Sequence, residues 1–290
     1  MHIFRREFLK LPGMLALPVV AMAGVQEGRV FTCQYRARAT VLMLSAPLLH
    51  RDNVGSGYLH VSRQETGGRR QLRLEFGAGS LPERAAGLNR LGVFEETIVE
   101  AGELIESASY FGFMTASNEK DLDQARTALH SGPASSFTAI RGQIERGQVS
   151  NRLLRIENMA SMSWAERERL TAQIRAKIAD QTNPEAQSST AALQDAPCSP
   201  FLYAVNRAMR SNAGTCSNRF IHNGQMHLLK SARKPGGQTG EMELDGKIYS
   251  AAGKELSTFR LWFDPAKVEQ GPLKFEFRPR SFLRLTFERV

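Results

Sequence analysis

The sequence is poor in cysteine and contains no hydrophobic run long enough to cross a membrane. It has 3 Cys among 290 residues, too few for the disulfide framework that holds small secreted domains together. A membrane-spanning helix needs about 20 consecutive apolar residues, and no stretch of that length occurs. These shortages exclude a small disulfide-rich protein and a polytopic membrane protein.

Recognisable catalytic motifs are also missing from the sequence. It contains no nucleophile elbow G-x-S-x-G, no zinc motif H-E-x-x-H, no phosphate loop and no dinucleotide fingerprint G-x-G-x-x-G. We therefore predict no catalytic residue, no cofactor and no metal, and favour a protein that is not an enzyme, while leaving catalysis open.

Acidic residues are too few to balance the basic ones. The chain has 38 Lys+Arg against 29 Asp+Glu, a formal charge of +9, in an otherwise ordinary globular composition with 42% hydrophobic residues. A strongly basic protein attracts anionic partners, although a soluble protein can also be basic without any such partner.

The N-terminus has the layout of an export signal. A basic segment is followed by the short apolar stretch 11–23, which ends in Ala21-Met22-Ala23, the small-x-small pattern of a signal-peptidase site. The basic segment resembles the twin-arginine signal R-R-x-F-L-K, which is matched at every defined position, by Arg5, Arg6, Phe8, Leu9 and Lys10. The resemblance implies a bacterial protein exported already folded, with the twin-arginine translocase and signal peptidase as its partners during export.

Cleavage after Ala23 predicts a periplasmic chain of residues 24–290 without a transmembrane span. Three basic residues and one acidic residue would be lost, which leaves 35 against 28, or +7. We expect no nucleic-acid partner in that compartment. Lipid headgroups and other anionic envelope components are the candidate partners.

Alternating apolar and polar residues predict a mainly β (α+β) protein. Hairpins are expected around Thr66-Gly67-Gly68, Ala101-Gly102 and Arg146-Gly147, and later at Asn223-Gly224 and Asp245-Gly246, which are strong hairpin-turn dipeptides. A helix over 93–107 competes with strands over 93–101 and 104–114, and we favour the strands. We predict one antiparallel curved sheet or barrel over residues 24–290, and whether it forms one domain or two stays open.

A helical insertion is expected near residues 160–210. Ser163 and Glu166 form a capping box, and Leu170, Ile174 and Ile178 recur every four residues along 163–180. A second helix is predicted over 200–210. We predict a loop for the polar segment 181–197 and an exposed helix for 119–131.

Two groups of side chains are candidates for chemistry. His222 and His227 flank a turn and could bind a metal with a third ligand, although solvent-facing turn residues explain them too. Five acidic residues lie close together in sequence and could supply acid and base to a hydrolase, or form a solvated face. They are Glu95, Glu96, Glu100, Glu103 and Glu106.

The cysteines and the basic C-terminal end complete the candidates. Cys198 and Cys216 lie 18 residues apart around a helical stretch, and we predict that they form a disulfide in an oxidising compartment. Cys33 remains as a buried thiol or an alternative partner. The C-terminal arginines could meet anionic headgroups or form a salt-bridged outer face. They are Arg278, Arg280, Arg284 and Arg289.

The C-terminal half resembles an uncharacterised family of exported bacterial proteins known only as a domain of unknown function. The resemblance lies in Pro200-Phe201-Leu202-Tyr203-Ala204-Val205-Asn206-Arg207, in Leu261-Trp262-Phe263-Asp264 and in Gly271-Pro272-Leu273. It implies an antiparallel barrel over residues 30–290 in outline and transfers no catalytic residue.

Three functions are compatible with the sequence. The first is a non-enzymatic periplasmic protein that binds a lipid-like or other envelope ligand, or an envelope partner. The second is an exported hydrolase acting on an envelope ester or polysaccharide, with the acidic group or the histidines as acid and base. The third is a metal-binding or redox accessory protein that uses His222, His227 and Cys33.

Overall fold

The computed structural model describes residues 28–43, 46–102, 104–116, 134–160, 162–193, 197–222, 224–280 and 283–290. The side chains of residues 43, 46, 134, 135, 279 and 280 are not described. The predicted export signal, its cleavage site and the predicted helix over 119–131 lie outside the described residues.

Fifteen strands and two α-helices make up the described part of the chain. The strands are β1 Arg29–Met43, β2 Ala46–Thr66, β3 Arg69–Ser80, β4 Leu91–Ala101, β5 Leu104–Thr115, β6 Ala134–Glu145, β7 Gln148–Ala160, β8 Gln187–Ala192, β9 Cys198–Pro200, β10 Thr215–His222, β11 Gln225–Pro235, β12 Met242–Ser250, β13 Glu255–Phe263, β14 Lys274–Arg280 and β15 Leu283–Arg289. The helices are α1 Arg167–Ala179 and α2 Phe201–Arg210. Short 3-10 helices cover Trp164–Glu166 and Pro265–Gln270.

All fifteen strands belong to one curved sheet that does not close. The first strand pairs with the last, β1 with β15, and the order runs β8-β7-β6-β5-β4-β3-β2-β1-β15-β14-β13-β12-β11-β10-β9. Every neighbouring pair is antiparallel except β9 with β10. The predicted mainly β architecture is therefore confirmed, with strands rather than a helix over 93–114.

Helix α1 covers one face of the strands that follow β3. Its residues Leu170, Ile174 and Ile178 are fully buried, as the four-residue spacing predicts. They pack with Val93 and Phe113 from the sheet. The predicted capping box precedes the helix, where the Ser163 amide donates to the Glu166 carboxylate at 3.0 Å.

Helix α2 lies on the opposite, inner face. Glu96 and Val93 are three residues apart on β4 and therefore point to opposite faces of the sheet, and Glu96 contacts α2 whereas Val93 contacts α1. Helix α2 also packs against β10 and β11, which stand at the other end of the strand order. An element inside the curvature can reach strands that are this far apart in the order of a curved sheet.

One predicted turn and one predicted loop are wrong. Asp245-Gly246 lies in the middle of β12, paired with Arg260 and Phe259 of β13. Gly246 is needed there because a Cβ would overlap the ring of Phe259, so its role is close packing and not turning. The segment 181–197 contains strand β8, whose polar residues pair with β7. Because it pairs with β7, this part of the segment forms a strand despite its loop-like composition.

The predicted disulfide between Cys198 and Cys216 is also wrong for this structure, in which all three cysteines are free. Cys198 pairs with Arg219 across β9 and β10. Cys216 lies three residues before Arg219 on β10. Because three strand residues span on the order of 10 Å, Cys216 is about that far from Cys198. A disulfide needs Cα atoms within about 7 Å.

Among the described residues, we find no helix with the length and apolar character required to cross a membrane.

Candidate functional site

The inner face carries a buried carboxylate, Glu96, at the start of α2. One Glu96 oxygen accepts the backbone N–H of Leu202 at 2.6 Å, and the other accepts that of Tyr203 at 2.7 Å. The first N–H groups of a helix have no partner within the helix and carry partial positive charge. Burial nevertheless raises the pKa of Glu96 to about 8, with the backbone hydrogen bonds opposing the rise. Glu96 thus fastens the inner helix to β4.

A second carboxylate, Glu100, lies four residues after Glu96 on β4 and also contacts α2. It is 1% exposed, accepts a hydrogen bond from the Tyr203 hydroxyl, and forms ion pairs with Arg70 and Arg210. Burial, followed by this contact with Glu100, raises the pKa of Tyr203 to about 12. Buried charges are tolerated when they are paired in this way.

The predicted acidic group therefore divides into two environments. Glu96 and Glu100 are buried against α2, which corrects the prediction of a solvated face for these two residues. Glu95 and Glu106 instead pair with arginines, at 2.5 Å to Arg175 and 2.8 Å to Arg69. Glu103 lies outside the described residues. The structure does not bring the group together into a paired-carboxylate site.

His222 and His227 are packed among aromatic rings and are not solvent-facing turn residues as predicted. His227 is 8% exposed and stacks on Phe220 with ring centroids 5.4 Å apart. His222 lies 6.2 Å from the Phe201 ring of α2 and 6.1 Å from His227. Burial, followed by the neighbouring His227, lowers the pKa of His222 to about 4. Both imidazoles are therefore neutral parts of the packing around the start of α2.

A narrow cleft joins these groups where β4, β5 and β6 face β9, β10 and the start of α2. Glu96, Tyr110 and His222 all line it, together with Phe94 and Phe201. The Tyr110 hydroxyl donates to the Asn151 side chain, and burial raises the pKa of Tyr110. The cavity measures about 20 Å³, which is room for a single water molecule. A comparable cleft of about 20 Å³ lies between Arg63, Arg70 and Arg210.

No metal centre joins the histidines to the cysteine in the described part of the chain. There, no group of three His, Cys, Asp or Glu side chains is placed to hold a metal ion. Cys33 lies on β1 beside Tyr35, and its thiol donates to the Gln270 carbonyl at 3.1 Å. Cys198 is buried on β9, and that burial raises the pKa of its thiol to about 12. A raised thiol pKa disfavours the thiolate that a reactive cysteine needs, so Cys198 is not activated.

The role of Glu96 was missed at the level of sequence, although a signal was present. Glu96, Ile98 and Glu100 alternate with more exposed neighbours along β4, so the period of a strand places both carboxylates on the same face as a core isoleucine. What the sequence did not show is that a helix end faces them. That contact joins residues 106 positions apart.

Comparisons with known proteins give a similarity in architecture only. No protein-family model matches the chain, and no curated protein matches it. Among solved structures, the chain is similar to a beta-barrel-like protein of domain of unknown function DUF1849 from Brucella abortus, with a TM-score of 0.45 and 7% sequence identity over 90% of this chain and 97% of that one.

Proposed function

We propose that this chain is an exported periplasmic protein of a bacterial envelope that works by binding, and that it binds its partner on its outer surface. The observation that carries the proposal is the occupation of the inner face by α2. Barrel-type carriers keep this space for a ligand. Here it holds Tyr203, Ala204 and Ala208, which are 2%, 0% and 0% exposed. An interior filled by the protein's own helix favours an outside partner over an enclosed lipid.

The pairing of the chain ends supports export in the folded state. Residues 35–41 of β1 pair with 283–289 of β15, so the sheet cannot be completed before the last strand has been synthesised. A twin-arginine pathway, which carries folded proteins, suits such a topology. This argument is independent of the signal at Arg5 and Arg6.

Export is tested by cell fractionation of the full chain expressed in a bacterium with a twin-arginine pathway. We expect a shortened form in the periplasm, and its loss when Arg5→Lys and Arg6→Lys are combined. Arg29→Lys, an exposed residue outside the signal, is the matched control and should be exported normally. A shortened periplasmic form of the double variant would refute the proposed route, and an unprocessed cytoplasmic wild type would refute export.

A hydrolase is the second candidate, because Glu96, Tyr110 and His222 line one cleft and have perturbed pKa values. Such groups mark many active sites. Against it, both Glu96 oxygens already accept backbone hydrogen bonds. Hydrolysis of envelope esters or polysaccharides that is lost in both His222→Phe and Glu96→Gln, with the folded structure retained, would favour this second function.

A further inference from the structure

On its β2 side, the hairpin of β1 and β2 extends beyond the neighbouring strand β3. Strand β3 ends opposite Gly55, so residues 46–54 of β2 continue past it. The extension begins at a bulge, where the register shifts between Ala37 and Ala39 and Asn53 takes a φ of 54°. We call residues 38–43 and 46–53 the arm.

The end of the arm exposes adjacent leucines on both faces. Leu48 is 62% exposed and Leu49 is 63% exposed, and Pro47 before them is also exposed. Consecutive strand residues point to opposite faces, so no single layer of protein within this chain could cover both leucines. Scattered apolar residues are normal on protein surfaces, but these lie together at a projecting end.

Arginines lie on the strands next to this apolar end, and most of them are not compensated by an acidic residue. The β14–β15 hairpin runs beside the arm, since Val41 pairs with Leu283, and it adds Arg278 and Arg284 to Arg38 and Arg51. Residues 36–54 and 277–287 contain a single acidic residue, Asp52, which pairs with Arg38. Arg51, Arg278 and Arg284 make no ion pair among the described residues, so the salt-bridged outer face that was predicted for the C-terminal arginines is not seen at Arg278 and Arg284.

We infer that the arm and the adjacent β14–β15 hairpin form a docking site for an anionic lipid surface. An apolar tip that enters the headgroup region, ringed by cations that meet anionic headgroups, is the pattern of interfacial membrane binding. The charge complementarity commits the site to a lipid surface and not to a second copy of this chain, because two such tips would repel each other. The inference rests on the proposed outside binding and names its partner.

The first test is co-sedimentation of the purified full chain with vesicles of phosphatidylcholine, with and without phosphatidylglycerol. We expect binding that requires phosphatidylglycerol and weakens with salt. Combining Leu48→Ser with Leu49→Ser should weaken it by about tenfold or more, since each buried leucine contributes strongly. The matched control combines Leu104→Ser with Leu256→Ser, which are 73% and 50% exposed elsewhere, and should bind as wild type does.

The charge requirement has its own variant pair. Arg51→Gln with Arg278→Gln should weaken vesicle binding by about 30-fold, since each of the two cations near an anionic surface contributes about 1 kcal/mol. Arg141→Gln with Arg146→Gln removes the same charge from exposed sites on β6 and its turn, and should weaken binding far less. All variants share one N-terminus, so a difference between them cannot arise from residues 1–23.

A tip probe reports insertion directly. The fluorescence of Leu48→Trp should shift to the blue only with phosphatidylglycerol vesicles, whereas that of Leu104→Trp should not. Equal binding to neutral vesicles, equal binding by all variants, or a dimer without vesicles that the leucine variant abolishes would each overturn the inference. Vesicle binding needs no export, so failure here and failure of the fractionation experiment remain distinguishable.

Discussion

Glu96 is a carboxylate inside the protein, and its charge is decided by two opposing effects. The N-terminal amides of α2 favour the ionised form, whereas burial favours the protonated form and raises the pKa to about 8. The folded pKa thus lies above that of an unfolded glutamate, near 4.3. Stability from this group is complete below the unfolded pKa and is lost as pH rises through the folded one.

We expect the wild type to lose on the order of a few kcal/mol of unfolding free energy from this group between about pH 4.5 and pH 8. Glu96→Gln should be less stable at the acidic end, because the amide nitrogen cannot accept a backbone N–H, and it should lack this decline. Urea unfolding across the range measures the difference. Glu145→Gln, at an exposed site, should show the same dependence of unfolding free energy on pH as the wild type. If Glu96→Gln shows that dependence too, Glu96 is ionised across the whole range.

His222 has the opposite linkage. Burial lowers its pKa to about 4, below the unfolded value near 6.5, so its contribution to stability is lost as pH falls from about 6.5 to 4. A histidine ring resonance with a midpoint near pH 4, absent from the NMR spectrum of His222→Phe, is the expected result. A midpoint above about 6 would mean that the ring is solvated and the start of α2 is not packed as described.

At the scale of elements, two carboxylates of β4 hold α2: Glu96 accepts N–H groups at its start, and Glu100 contacts Tyr203 and Arg210. Tyr203→Phe removes the hydroxyl that donates to buried Glu100. A hydrogen bond to a charged group contributes about 1.5 to 3 kcal/mol, and we expect a loss of that size in urea unfolding. Tyr249→Phe, whose exposed hydroxyl lies 3.4 Å from Glu255, should change stability by less than about 0.5 kcal/mol. Equal effects would remove Tyr203 as an anchor.

The β12–β13 pair depends on a glycine that provides space for a ring. Gly246→Ala should cost about 1 to 3 kcal/mol in unfolding free energy, because its Cβ would overlap the ring of Phe259. Gly237→Ala is the matched control, since nothing lies within 4 Å of its Cβ position. If Gly246→Ala leaves the unfolding free energy unchanged, the strand accommodates the added methyl group. Packing against Phe259 would then not be what holds Asp245-Gly246 in a strand.

At the scale of the whole molecule, the sequence predicted the features that are determined by residues close to one another along the chain. The period of two predicted the hairpins and the sheet, and the spacing of Leu170, Ile174 and Ile178 predicted the buried stripe of α1. The helical insertion was predicted in outline because its capping box and apolar stripe lie within a few residues of each other.

Contacts between distant residues were not predictable from one sequence. The burial of Glu96 requires the start of α2, and the packing of His222 requires Phe201. The close packing of Gly246 requires Phe259, its partner on the neighbouring strand. The protruding arm was equally hidden, since exposure of Leu48 and Leu49 follows from where β3 ends. The candidate site is made almost entirely of such contacts. Its residues could therefore be named from the sequence, but their arrangement in space could not be predicted.

Native mass spectrometry of the purified protein tests the central claim most directly, namely that α2 fills the inner face and leaves binding to the outside. We predict the mass of the bare polypeptide with its three cysteines reduced, in agreement with the free thiols. A lipid mass bound in the native state of both the wild type and the Leu48→Ser, Leu49→Ser variant, and lost on denaturation, would contradict the account, because a lipid that does not depend on the arm would have to lie where Tyr203 and Ala204 are packed.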